Sequence, residues 1–241
     1  ACLLGLHCGD SLGATLEFQP PRPRDNFHTE IIGGGSLNWQ PGEPTDDTTM
    51  MIMLLESLGT DKTLDIYDLS SRFIDWKMTE PKDMGRTTFY SIMNMIEGKS
   101  PSNWGMTGES DQGNGALMRC APLSLIPFSE TIINKQTAMT HNTKNCKVSD
   151  VILLAAIGEA YKGLDKEKIY KNVIERIPKD CEKLKSYMES IPETNWEDLE
   201  TSGYVLHTLK AAFWGLYHTD SFEQALIEVV NRGDDADTCG A

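Results

Sequence analysis

The stretch Thr45-Asp46-Asp47-Thr48-Thr49-Met50-Met51-Ile52-Met53-Leu54-Leu55-Glu56-Ser57-Leu58 decides the fold. Its apolar residues Met50, Met51, Met53, Leu54, Leu55 and Leu58 recur at helical rather than alternating spacing and cover a broad face, so the segment reads as a helix with one buried side. Pro44-Thr45-Asp46-Asp47 comes just before it, offering Thr45 or Asp46 as a cap and setting carboxylates at the positive end of the helix dipole. Similar spacing predicts helices over about 65–78, 86–98, 115–126, 130–140, 148–161, 166–177, 181–190, 203–217 and 221–231. The apolar run Ala1–Leu6 soon reaches Asp10 and lacks a basic start, so it reads as helix rather than as a targeting signal. No segment reads clearly as a strand. The expected fold is all-α, one domain over residues 1–241, with 19–48 and 99–114 as its largest surface loops.

Composition narrows the function classes. A formal charge of -14 over 241 residues argues against broad binding to nucleic acid or to an anionic membrane, both of which require a basic surface. The longest apolar stretches, such as Val151–Ile157, fall far short of the roughly 20 residues that span a bilayer. The six cysteines are scattered without Cys-x-x-Cys spacing, and reduced thiols in a cytoplasm are the simplest account of them. The Lys- and Glu-rich segment 164–200 reads as solvated scaffold.

Acidic clusters lie at two distant places in the chain: Thr45-Asp46-Asp47-Thr48, and Gly233-Asp234-Asp235-Ala236-Asp237-Thr238. Carboxylates and hydroxyls in short turns are the ligand set of hard divalent cations. For the first cluster, helix capping is the competing reading; the second has little chain after it to cap. Two carboxylates about 4 Å apart repel by roughly 4 kcal/mol at an effective dielectric near 20, so four or five sharing a pocket require a cation. Glu17, just after Gly9 and Gly13, is a further candidate, set against a surface or capping role. Gly113-Asn114-Gly115 precedes an apolar run and reads as a turn or as a phosphate-binding helix start. Arg119 either faces a ligand or anchors a loop from within. His141 stands where a helix is expected to end, a favourable place for a donor. No zinc-protease, serine-elbow or cysteine-nucleophile pattern is present, which leaves metal-assisted acid and base chemistry.

Several of these segments occur in one order that resembles the ADP-ribosylglycohydrolase family. They are Gly5-Leu-His-Cys-Gly9-Asp10-Ser-Leu-Gly13 with Glu17, Thr45-Asp46-Asp47-Thr48, Asp83-Met-Gly85-Arg-Thr-Thr88, Gly113-Asn114-Gly115 with Met118-Arg119, Thr140-His141, Ser202-Gly203-Tyr204-Val205 and the terminal Gly233–Gly240 run. The resemblance covers essentially the whole chain. It implies a compact orthogonal bundle of helices with two Mg²⁺ or Mn²⁺ ions in a central cleft. Thr45, Asp46 and Asp47 would bind metal from one side, and Asp235, Asp237 and Thr238 from the other. Glu17 matches a mobile acidic residue near the scissile bond, and Gly113, Asn114, Gly115, Met118, His141 and Tyr204 match the walls of the ADP-ribose pocket. The family pattern usually starts a few residues earlier and runs on into another helix, so the chain is expected to be a trimmed version of it.

Asp83 bears on the subgroup. The Asp-x-Gly-x-Thr-Thr and Ser-Gly-Tyr-Val segments look like the bacterial dinitrogenase-reductase-activating glycohydrolases, which remove ADP-ribose from arginine. Asp83 is then a second acidic residue at the cleft mouth, or else the cap of the 86–98 helix. The expected activity is hydrolysis of the N-glycosidic bond between ADP-ribose and a protein arginine by a cytoplasmic monomer, with Glu17, Asp46 or Asp83 handling the proton. The alternatives are a hydrolase of serine-linked or other O-linked ADP-ribose, and a silent ADP-ribose-binding module.

Overall fold

The computed structural model describes residues 1–59 and 62–241. Among these residues the chain forms α1 (Cys2–Gly13), α2 (Asp46–Leu58), α3 (Ile66–Met78), α4 (Arg86–Ile96), α5 (Glu130–Ala138) and α6 (Lys144–Tyr161), then α7 (Lys166–Arg176), α8 (Glu182–Glu189), α9 (Val205–His218), α10 (Phe222–Val230) and α11 (Ala236–Gly240), with short 3-10 turns between them and no β-sheet. The all-α expectation holds. No helix of the described residues is long and apolar enough to cross a membrane.

Two apolar cores carry the bundle. The first gathers Met50 and Leu54 of α2, Leu69 and Phe73 of α3 and Ile92 of α4 around Trp104, Met139 and Leu154. The second sets Ile169 and Val173 of α7 and Leu184 and Met188 of α8 against Leu206, Leu209 and Phe213 of α9. Fully burying such a side chain contributes roughly 1.5–3 kcal/mol. The Lys- and Glu-rich segment is therefore scaffold with a buried stripe.

The 115–126 helix does not form. Residues 115–119 are tight turns and Ala121–Leu125 is a 3-10 turn. Pro122 lacks an N–H and disfavours helical backbone at Ala121. Arg119 also turns inward: it is fully buried, donating from Nε to Gln136 Oε1 at 2.6 Å, from Nη1 to the Gly115 carbonyl at 2.9 Å and from Nη2 to Thr140 Oγ1 at 2.7 Å. Arg119 is thus the internal anchor of this loop. α6 starts at Lys144, earlier than its apolar pattern, because Thr143 Oγ1 caps it by accepting from Cys146 N.

α1 packs on α11 through glycines. A Cβ on Gly9 would stand 1.9 Å from the Gly240 carbonyl oxygen, and one on Gly13 would stand 2.3 Å from that of Ala236. No rotamer relieves a clash with backbone, so a larger residue must push α11 away. We expect Gly13→Ala to cost about 2 kcal/mol as an overpacked contact, read in thermal unfolding as a Tm lower by roughly 4–8 °C. An unchanged Tm would show that α11 yields freely.

Candidate functional site

The acidic clusters meet because α1, α2 and α11 converge. Asp10, in the last turn of α1, is fully buried, and its carboxylate accepts from the backbone N–H groups of Thr45 and Thr48, each at 3.2 Å from Oδ2. It holds the first turn of α2 from another helix. Thr45 is the N-cap, its Oγ1 accepting from Asp47 N. Capping and site membership thus coexist in the first cluster. Sequence reading quoted Asp10 within a motif and assigned it no role; one carboxylate inside an apolar helix carried no other signal.

The second cluster is placed by backbone. Phe18 N donates to the Asp234 carbonyl at 2.7 Å and Asp234 N to the Gln19 carbonyl at 2.9 Å. Gly233 sits at φ +69° with the Gln19 carbonyl oxygen 2.1 Å from where a Cβ would stand, so glycine is required there. This pairing sets Glu17 beside the start of α11. One carboxylate oxygen from each of Glu17, Asp235 and Asp237 falls within 4.8 Å of the others. Glu17 is 4% exposed and Asp237 1%. Glu17 is therefore neither a surface residue nor a cap.

Asp47 bridges the clusters, its Oδ2 accepting from Thr238 Oγ1 at 3.2 Å. Glu17 Oε2 and Asp47 Oδ1 are buried with no hydrogen-bond partner, and no Lys or Arg forms an ion pair with this group among the described residues. Burial, reinforced by neighbouring carboxylates, pushes Asp46, Asp47 and Asp237 well above the usual range. Burial first, then Asp83 and Asp235, pushes Glu17 up to about 9. Oxygen donors with unfilled lone pairs and no countercharge fit a hard divalent cation.

These residues close one end of a cavity of about 500 Å³, lined also by Gly113, Asn114, Gly115, Met118, His141, Gly203 and Tyr204. Asp46, Asp83, Asp235 and Thr238 reach it, whereas Thr45, Asp47 and Asp237 lie behind its surface. Asp83, half-buried, stands beside Asp46 and, after burial, does most to push the Asp46 carboxyl up. Gly85, without a side-chain cap bond, is the N-cap of α4, so the capping reading of Asp83 falls.

Of the two readings of Gly113-Asn114-Gly115 the turn holds and the helix start fails, and the capping reading of His141 fails as well. Gly113-Asn114-Gly115 does not open an α-helix, and Asn114 Nδ2 donates to Asp235 Oδ2 at 2.7 Å and to Thr208 Oγ1 at 2.8 Å. Its amide orients a carboxylate while its flanking backbone faces the cavity. His141 caps no helix, since α5 ends at Ala138. It is buried, and burial with the nearby Arg119 charge pushes its pKa down to about 3. Its Nδ1 lies 2.8 Å from Thr140 Oγ1, which already accepts from Arg119. The other ring nitrogen, Nε2, faces Gly113.

The ADP-ribosylglycohydrolase family model matches residues 1–241. The chain is 31% identical to "ADP-ribosylarginine hydrolase Tri1" of Serratia proteamaculans (strain 568), over 99% of this chain and 67% of that protein. It is 33% identical to "ADP-ribosyl-[dinitrogen reductase] glycohydrolase" of Rhodospirillum rubrum, over 99% of this chain and 80% of that one. A solved structure titled "ADP-ribosylglycohydrolase-related protein complex" superposes with a TM-score of 0.81 at 28% identity, over 99% of this chain and 82% of that chain. Sequence, fold and the ordered clusters agree: the chain belongs to the ADP-ribosylglycohydrolase family of hydrolases.

Proposed function

We propose that the protein is a divalent-metal-dependent hydrolase that removes ADP-ribose from arginine side chains of proteins. The observation that carries the metal dependence is the convergence of Glu17, Asp235 and Asp237 within 4.8 Å with unpartnered carboxylate oxygens and no countercharge. The arginine linkage is supported by the two relatives named above, one described as an ADP-ribosylarginine hydrolase.

Asp235, Asp237 and Thr238, with Glu17 beside them, would hold cations from the α11 side, and Thr45, Asp46 and Asp47 from the α2 side. Mg²⁺ or Mn²⁺ there would supply a charge that acidifies water and offsets negative charge as the bond to the ribose breaks. Asp10 orients the α2 donors from behind, and Asn114 orients Asp235 from the cavity wall. Glu17, Asp46 and Asp83 face the cavity and are placed to move the proton that the leaving nitrogen requires. The neutral His141 offers a ring nitrogen rather than a charge to the ligand.

ADP-ribose release from matched arginine-linked and serine-linked peptides tests the reading. Release from arginine with Mg²⁺ or Mn²⁺, abolished by EDTA, is the expected result. Release from serine alone would replace it with the O-linked reading, and ADP-ribose binding without release would indicate a silent module.

Asp237→Asn separates the cation from the catalysis. Ligand at a hundred times its Kd stabilises by about 2.7 kcal/mol, so saturating Mn²⁺ should raise the wild-type Tm by roughly 5–10 °C. The variant should gain almost nothing from Mn²⁺, yet melt no lower than the wild type in EDTA, because an amide replaces a carboxyl that burial already disfavours in its charged form. An equal Mn²⁺ response in both proteins would remove Asp237 from the site.

The pH profile in EDTA has a definite sign. Glu17 binds its proton more tightly in the folded state, so stability is fully present below the unfolded value near 4.5 and is lost as pH rises towards about 9. We expect the Tm in EDTA to fall across that window and Mn²⁺ to flatten the slope at its alkaline end. A Tm in EDTA that rises with pH would contradict the buried cluster.

A further inference from the structure

Two six-membered aromatic rings, those of Phe18 and Tyr204, line the main cavity, and they differ in what already holds them. The Tyr204 ring has Lys183 Nζ 4.7 Å from its centroid and the His207 ring edge-on at 5.1 Å. The Phe18 ring has neither a cation nor another aromatic ring against it among the described residues, and the residue is 60% exposed. It stands at the mouth of the cavity, next in the chain to Glu17 and on a wall shared with Asp46 and Asp83.

This placement runs against the preferences of the residue. Phe18 has φ +61°, left-handed backbone that a bulky side chain rarely adopts. The bonds around it impose that shape: Phe18 N donates to the Asp234 carbonyl at 2.7 Å, Gln19 N to the Leu16 carbonyl at 3.0 Å, and Ser36 Oγ to the Glu17 carbonyl at 3.2 Å. Glycine or asparagine would meet the backbone requirement with less strain, and a polar side chain would suit the water. The ring thus serves neither the backbone nor the solvent, and strained residues of this kind gather at ligand sites.

We propose that Phe18 is a specificity residue of the proposed reaction, its ring stacking on the guanidinium of the ADP-ribosylated arginine. The inference rests on the arginine reading above. The leaving nitrogen is bonded directly to the ribose carbon, so the guanidinium lies in the cavity that holds the sugar, beside the carboxylates placed to move its proton. Phe18 is the unoccupied aromatic face there. A guanidinium is planar, weakly hydrated and stacks on aromatic faces, and the carboxylates of Glu17 and Asp83 favour a cation at this place over a neutral group. A serine-linked substrate presents a methylene and an oxygen instead, with no charge and no plane to stack.

Phe18→Leu and Phe18→Tyr keep the same backbone constraint and differ in the ring. For an arginine-linked ADP-ribosyl peptide, Phe18→Leu should raise KM about three- to fivefold with kcat unchanged, the worth of one exposed cation–aromatic contact made before the bond breaks, and Phe18→Tyr should stay within about twofold of the wild type. The Kd of ADP-ribose, read by calorimetric titration with Mn²⁺ present, should be the same in all three proteins, because free ADP-ribose carries no guanidinium. Thermal unfolding should give one Tm for all three, since the ring is exposed. An equal rise of KM in both variants, or no rise in Phe18→Leu, would overturn the proposal. So would an ADP-ribose Kd that rises in step with KM, which would place the ring against the nucleotide or its sugar. Wild-type release from serine alone would remove the arginine reading and this proposal with it, whereas release from arginine with no difference between the variants would remove the Phe18 assignment alone.

Discussion

Mutual repulsion among buried carboxylates is the constraint around which the molecule is organised. Glu17, Asp46, Asp47 and Asp237 are all at most 8% exposed, and each is driven towards its neutral form first by burial and then by the others. No packing preference of the carboxylates themselves would assemble such a group. The closeness is imposed from outside: α1 lies flush on α11 through Gly9 and Gly13, and Asp10 takes two N–H groups from the first turn of α2. The apolar cores then make the arrangement costly to open, because separating α2 from its neighbours would expose Met50 and Leu54.

Asp10 shows how one residue type serves opposite ends in the same space. Like its neighbours it is buried and pushed upward, yet hydrogen bonds from Thr48 and Thr45 oppose the shift. Its lone pairs are filled by backbone donors, whereas Glu17 Oε2 and Asp47 Oδ1 have none. Filled lone pairs make a structural clamp and empty ones make a ligand. That distinction depends on three-dimensional partners and is invisible in the sequence.

The helices were legible where apolar periodicity is unbroken, as in α2, α3 and α9, and the reading failed where a single interaction overrides it. Arg119 turns inward to Gln136, Gly115 and Thr140 and, with Pro122, prevents the helix that Ala116, Leu117 and Met118 suggest. The same guanidinium reaches His141 through Thr140, which is why that residue proves to be a wall of the cavity rather than a cap. The acidic clusters were legible as ligand types, and their order along the chain pointed to the family. Their juxtaposition was not, because it depends on left-handed backbone at Phe18, Gly233 and Asp234, which neither composition nor spacing announces.

The same electrostatics orient the ligand that the proposed activity requires. A diphosphate carries negative charge and gains nothing from an end of the cavity occupied by Asp46, Asp83 and Asp235. The rest of the wall offers the Gly113 to Gly115 backbone, the neutral ring of His141 and Arg86, whose guanidinium is 61% exposed and already paired with Asp111. These donors are modest singly, and carboxylates stand beside them: Asp235 against Asn114 and Asp111 against Arg86. On the proposed activity, the phosphates would lie with these donors and the ribose would present its bond to protein beside Asp46 and Asp83. In a chain of net charge -14, an anionic ligand at this cavity would depend on N–H donors and bound cations to offset the carboxylates of its wall.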